Sequence, residues 1–282
     1  LATLAPETAT ATTSEVESAD GTRLAYRGWP LAGGSITLAA IHGLGEHAGR
    51  YEGLAKGMAQ HGMGTYALDL RGHGNSPGPR GHVDSWSQWT DDVAAFVKHI
   101  ESIEKGTEVV PVGHSFGGVA LLSTVLAGQL PHTKRFVVSS PALKLKVKVA
   151  GWKLTFGPIA AKIVPRLTLA NEVDASTVSR IPEVVDAYRN DPLVHNKIST
   201  RLGAEWQNAT SDILTRADQI KIPFLILAGT ADALIDPSGS EQLHDQTKST
   251  SELRMLEGRF HEPFNDLGSD EVFQLIADWL KK

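Results

Sequence analysis

The chain has 282 residues, 41% of them hydrophobic, with a formal net charge of −5 and no cysteine. That length accommodates one large α/β domain with an insertion, or two small domains, each around a sizeable core. The mild charge and the lack of any Lys/Arg-rich tract argue against a nucleic-acid partner, and the absence of cysteine excludes disulfides, a thiol nucleophile and Cys-based metal sites.

No run reaches the ~18 apolar residues of a membrane-spanning helix. Leu1 to Thr13 is rich in Ala and Thr and lacks the basic region and apolar core of an intact signal peptide. It reads as a loose tail. A cytoplasmic or peripherally membrane-associated protein is expected, with a processed leader and the oligomeric state left open.

Asp20-Gly21 lies between the alternating runs Glu15–Ser18 and Leu24–Trp29 and predicts a hairpin. Ile36–Ile41 is almost wholly apolar and predicts a central strand. A helix is expected over Tyr51–His61, closed by Gly62–Gly64, then a strand over Thr65–Leu70. Arg71–Gly78 is a glycine-rich loop in which Gly72-His73-Gly74 reads as a tight surface turn. Trp89, Val93, Phe96, Val97 and Ile100 recur at helical spacing and place a helix over Trp86–Ile103. Val109–Val112 predicts a buried strand, and a helix begins near Val119. Further strands are expected at Arg135–Ser140, Pro223–Gly229 and Glu252–Gly258, and a closing helix at Val272–Leu280.

Strands alternating with helices predict an α/β fold with a mostly parallel central sheet flanked by helices. The stretch from Ala142 to about Ala209 is too long for one crossover and is broken by Gly151, Gly157, Pro158, Pro165, Pro182 and Pro192. It predicts a helical cap insertion. The expected organisation is a core in two parts, 1–141 and 210–282, separated by a cap at 142–209.

Gly113-His114-Ser115-Phe116-Gly117 fits Gly-x-Ser-x-Gly between a strand and a helix, the setting of a nucleophile elbow. A serine hydroxyl needs an adjacent base, and in such a sheet reacting groups gather beyond the carboxyl ends of the strands. His261 follows the last strand and is the candidate base; His244 sits in a helical pattern and suits a solvated face. Asp232 and Asp236 both follow the preceding strand. Asp232 is nearer its end and is preferred as the acid, while Asp236 before Pro237 suits a turn or helix cap. The chain order Ser, Asp, His matches the α/β-hydrolase arrangement. His42-Gly43-Leu44-Gly45 follows the third strand, so the Leu44 and Phe116 N–H groups are candidate oxyanion donors. No His/Asp/Glu set has metal-ligand spacing, and no glycine fingerprint for a dinucleotide follows the first strand, so no metal or cofactor is expected.

Five stretches add a family resemblance. His42-Gly43-Leu44-Gly45-Glu46-His47-Ala48-Gly49-Arg50-Tyr51, Asp69–Gly74, Gly113–Gly118, Ala187-Tyr188-Arg189-Asn190-Asp191-Pro192-Leu193-Val194 and Phe260-His261-Glu262 resemble the monoacylglycerol lipase family, its bacterial branch in particular. The likeness runs from about Gly21 to the C-terminus. It implies a serine hydrolase releasing fatty acid and glycerol from a monoacylglycerol, with Ser115, Asp232 and His261 as the triad and the Leu44 and Phe116 amides as the oxyanion hole. It also implies that Glu46, Arg50, His114 and Tyr188, with Gly43 beside them, hold the glycerol end of the substrate. The residues alone also fit an i, i+4 surface pair for Glu46 and Arg50, elbow packing for His114 and cap core for Tyr188. Two positions depart from the family pattern: Phe264 stands where some members carry a second histidine, and Phe116 replaces the common Met. Rival readings are a lysophospholipase, thioesterase or short-chain esterase on the same triad, or a catalytically silent protein binding a hydrophobic ligand.

From Leu143 to Val149 apolar residues alternate with Lys144, Lys146 and Lys148, and the apolar and basic stretch continues through Trp152–Phe156 and Ile159–Val164. A strand, or a peripheral contact with an anionic lipid surface, is expected there.

Overall fold

The computed structural model describes residues 11–146, 159–171 and 173–282. Eight strands form one sheet in the order β1-β2-β4-β3-β5-β6-β9-β10. They are β1 (Thr12–Glu17), β2 (Arg23–Trp29), β3 (Ile36–Ile41), β4 (Met63–Leu68), β5 (Glu108–His114), β6 (Phe136–Ser139), β9 (Phe224–Gly229) and β10 (Ser251–Leu256). β1 and β2 form the expected hairpin around Asp20-Gly21, with Val16 opposite Leu24, and β2 pairs β4 antiparallel. All other pairings are parallel. Thr12 and Thr13 belong to β1 rather than to a loose tail, because Thr12 pairs with Gly28; residues 1–10 lie outside the described part.

The alternation of β3 shows how the two faces are built. Leu38 and Ala40 enter one apolar cluster, while Ala39 and Ile41 enter the other. Successive side chains of a strand point to opposite faces, so a strand covered on both faces must be apolar throughout. α1 (Glu52–Gln60) and α7 (Ser269–Leu280) cover the Leu38 face. α2 (Trp86–Ile103) and α3 (Phe116–Leu126) cover the Ile41 face.

Between β6 and β9 the chain leaves the sheet. It forms a helical turn over 159–163, then β7 (Thr168–Ala170), α4 (Pro182–Asn190), β8 (Lys197–Ser199) and α5 (Thr200–Arg216). β7 and β8 pair antiparallel as a separate two-stranded sheet. α5 is one continuous helix, so the boundary expected at 209 falls inside it. Its buried Leu202, Ala209 and Ile213 make one face against the core, and Trp206 meets Phe116 edge-to-face at 5.4 Å. α6 (Ser238–Gln246) then links β9 to β10.

Residues 147–149 of the alternating stretch lie outside the described residues. Before them, Leu145 makes an isolated antiparallel bridge to Ile235. Gly72-His73-Gly74 is not a surface turn. His73 is fully buried, its ring 5.1 Å from that of His42 and 4.6 Å from that of His195. His195 comes from the segment between β6 and β9, which roofs the loop.

Candidate active site

β3 is followed in sequence by β4 on one side and flanked in the sheet by β5 on the other. Crevices in open α/β sheets form where the strand order reverses in this way, at the carboxyl ends. Gly43 lies there against Ser115: a Cβ on Gly43 would sit 3.2 Å from the Ser115 Cβ.

Ser115 itself has φ 51 and ψ −117, a conformation that costs a non-glycine residue of order 1–3 kcal/mol. The flanking glycines serve space rather than φ. A Cβ on Gly117 would run into the carbonyl oxygens of Ile41 and His42, and one on Gly113 would lie 2.7 Å from the Gly117 oxygen. The turn is held by Ser115 N–H donating to Ser139 O at 2.9 Å. Phe116 is the first residue of α3, so its N–H has no acceptor within the helix.

Ser115 Oγ lies 2.9 Å from His261 Nε2, and His261 Nδ1 lies 2.7 Å from Asp232 Oδ2. An ionised carboxylate only accepts, so Nδ1 carries the proton and Nε2 faces the hydroxyl as an acceptor. The other Asp232 oxygen accepts from the Leu234 and Ile235 amides at 2.8 and 2.9 Å. Burial pulls the His261 imidazole down, but the charge and hydrogen bond of Asp232 outweigh it and leave the pKa above the ordinary value. Burial likewise opposes ionisation of Asp232, and His261 together with the two amides overrides it. Asp236 takes the turn role: it accepts from Ser238 N–H at 3.0 Å and pairs with Lys144 at 3.1 Å.

A cavity joins these groups. Leu44, Val173, Val178 and Leu234 give it apolar walls; Gly43, Glu46, His114, Tyr188 and Glu262 line it beside Ser115 and His261. Val173, Val178 and Tyr188 come from the segment between β6 and β9. The Glu46–Arg50 pair is buried rather than on the surface. Arg50 Nε donates to Glu46 Oε2 at 3.1 Å, its Nη2 donates to Glu262 Oε2 at 2.5 Å, and its guanidinium lies 4.6 Å from the centroid of the Tyr188 ring. Glu46 Oε1 accepts from Gly43 N–H at 2.6 Å and from Tyr51 OH at 3.2 Å. Burial works against ionised Glu46, but His114 and Arg50 hold its carboxyl below the usual range. His114 Nδ1 donates to Ser139 O at 3.1 Å; burial, then His261, push its pKa down to about 4. Phe264 is buried, its ring 6.1 Å from that of His114. Glu262 had no assigned role in the sequence, although its place beside His261 was the available signal; Val173 and Val178 carried none. Among the described residues no His/Asp/Glu group is arranged to hold a metal ion.

The model of the family described as serine aminopeptidase, S33, matches residues 35–268. The monoacylglycerol lipase of Mycolicibacterium smegmatis is 31% identical over 92% of this chain and 93% of its own length. The chain belongs to the monoacylglycerol lipase family of α/β-hydrolases. As a member of that family it is a serine hydrolase. An uncharacterized abhydrolase domain-containing protein of Dictyostelium discoideum is 34% identical over 97% of this chain, which spans 29% of that longer protein. The crystal structure of Paleococcus ferrophilus monoacylglycerol lipase superposes with a TM-score of 0.79 at 31% identity, covering 96% of this chain and 98% of that one.

Proposed function

We propose that this serine hydrolase cleaves monoacylglycerols, releasing a fatty acid and glycerol through an acyl-enzyme. The observation that carries the reading is a Ser115–His261–Asp232 hydrogen-bonded chain opening into a cavity lined by both apolar and charged residues. A single acyl chain suits the apolar walls, and a small polyol suits Glu46, His114, Tyr188 and the buried Arg50. A catalytically silent binding protein would have no need of an oriented, buried imidazole.

In this mechanism Ser115 Oγ attacks the ester carbonyl as His261 Nε2 takes its proton. The Leu44 and Phe116 amides receive the negative charge that develops on the carbonyl oxygen. The tetrahedral intermediate collapses, the bond to the glycerol oxygen breaks, and His261 returns the proton to that oxygen. Water, deprotonated by the same imidazole, then attacks the acyl-serine and releases the fatty acid. Asp232 keeps the imidazole in the Nδ1–H tautomer and stabilises its cation throughout. The chemistry as written uses the three triad side chains, two backbone amides and water, and calls for no cofactor.

The segment 142–209 acts in this reading as a cap over the site. Lys144 pairs with Asp236 and Lys146 Nζ donates to Asp232 O at 3.0 Å, and both residues are exposed. Lys148 lies outside the described residues. Ile159, Ile163, Val164 and Leu167 are exposed as well, Ile163 at 73%, and this apolar surface, with the basic stretch before it, is proposed to touch a membrane. No helix among the described residues is long and apolar enough to cross one.

The test is hydrolysis of matched mono-, di- and triacylglycerols. Monoacylglycerol turnover exceeding triacylglycerol turnover by a hundredfold or more is expected; comparable rates would reject the substrate. Membrane contact is checked by vesicle sedimentation, where Ile163→Ser with Leu167→Ser should weaken binding.

A further inference from the structure

Glu262 follows the base directly and is 4% exposed. Its backbone N–H donates to Val178 O at 3.0 Å, tying the loop of the base to the segment above it. Its Oε2 accepts from Arg50 Nη2 at 2.5 Å and from Asn265 Nδ2 at 3.0 Å. Its Oε1 makes no hydrogen bond among the described residues, although Glu262 lines the cavity that holds Ser115. Burial, with Glu46 nearby, pushes the Glu262 carboxyl up from its ordinary value, while the guanidinium of Arg50 against Oε2 and the Asn265 amide favour its carboxylate form. The polar lining of the cavity therefore sets two carboxylates, Glu46 and Glu262, against one guanidinium, Arg50. His114 is neutral at neutral pH. A buried cluster of this kind attracts hydroxyl donors and repels anions, and burial makes both effects stronger than they are in water.

We propose that Glu262 is a specificity-determining residue for the leaving alcohol: its free oxygen accepts a hydrogen bond from an alcohol hydroxyl, and its charge bars leaving alcohols that carry a phosphate. This deepens, and rests on, the monoacylglycerol reading. It separates that substrate from the phosphate-bearing lysophospholipids that the same triad would otherwise cleave. Arg50 does not invert the selectivity, because both carboxylates already occupy it. The loss of one of them leaves Arg50 half free to meet a phosphate.

The test measures kcat/KM for three esters of one fatty acid: 1-acylglycerol, 1-acylglycerol 3-phosphate and the methyl ester, which has no further hydroxyl. They are compared in the wild type, Glu262→Gln and Glu262→Leu, with thermal melting and fluorophosphonate labelling to show that each variant is folded and its serine reactive. The wild type should prefer the acylglycerol to both other esters. In Glu262→Gln the ratio of acylglycerol phosphate to acylglycerol should rise at least tenfold. In Glu262→Leu the ratio of acylglycerol to methyl ester should fall at least tenfold, chiefly through KM. A wild type that does not prefer acylglycerol to methyl ester overturns the substrate reading itself. A wild-type preference that persists in both variants, with the phosphate ratio unchanged, overturns the role of Glu262 alone.

Discussion

His114 and His261 lie with ring centroids 4.9 Å apart, yet their protonation is pushed in opposite directions. Asp232 raises His261, whereas burial and the neighbouring His261 lower His114. The two imidazoles therefore divide the work. His261 exchanges protons, and His114 stays neutral, with Nδ1–H on Ser139 O and Nε2 available as an acceptor.

A pH profile follows from that division. The base form of His261 is needed, and its pKa is raised, so activity is lost as pH falls through a value above the ordinary ~6.5. The acid limb of kcat/KM should show a single ionisation with a midpoint above 6.5. A midpoint near 4, where His114 titrates, would show that the wrong histidine had been assigned.

Asp232 and Asp236 should separate cleanly. Asp232→Asn presents an amide to His261 and upsets its tautomer, a change worth on the order of 10⁴ in kcat in comparable triads. Asp236→Asn keeps an oxygen for the Ser238 N–H and loses only the charge opposite Lys144 in a partly exposed ion pair, and should change kcat by no more than about threefold. Steady-state rates of the two variants decide it, and the reverse ranking would move the acid to Asp236.

Arg50→Lys keeps the charge but cannot reach Glu46 and Glu262 at once while lying over the Tyr188 ring. The expected effect is a rise in KM for monoacylglycerol of about tenfold or more, corresponding to ~1.4 kcal/mol. Kinetics against a methyl ester of the same acid should show a smaller loss.

Two glycines offer a stability contrast. Gly117→Ala forces a Cβ onto the Ile41 and His42 carbonyls, whereas Gly203 lies in α5 with open space around its Cβ position. Gly203→Ala should stabilise by roughly 0.5–1 kcal/mol through helix propensity, about 2 °C in Tm. Gly117→Ala should lower Tm and activity together, as read by thermal melting and ester hydrolysis.

What could be read from the chain was whatever rests on local pattern. The apolar run Ile36–Ile41 has only one way to be covered, and the glycines around Ser115 mark an elbow because nothing larger fits. Asp232 and His261 were found by their positions just after strands. Contacts made across the sequence were not legible. Glu46 and Arg50 look like any i, i+4 pair until Glu262 and Tyr188 arrive from far along the chain to bury them. His73 looked like a turn residue because its cover, His195, is contributed from beyond β6. β7 and β8 have three residues each, too few to display a period of two. Gly64 reads as a helix terminator beside Gly62, yet it belongs to β4, where Leu31 N would lie 3.2 Å from a Cβ. The helix α5 was not singled out in the sequence, where its first half was read only as the end of a broken cap, and its packing on the core through Trp206 and Phe116 was not legible either.

Monoacylglycerol hydrolysis by Ser115→Ala, relative to the wild type at the same protein concentration, is the most direct measurement. The variant removes one oxygen from a buried turn and leaves Asp232 and His261 paired. Loss of turnover by ~10⁴-fold or more, with an unchanged Tm, is expected when the nucleophile of a concerted triad is removed. A Ser115→Ala protein that retains a tenth of wild-type turnover would contradict the assignment of Ser115 as the attacking group.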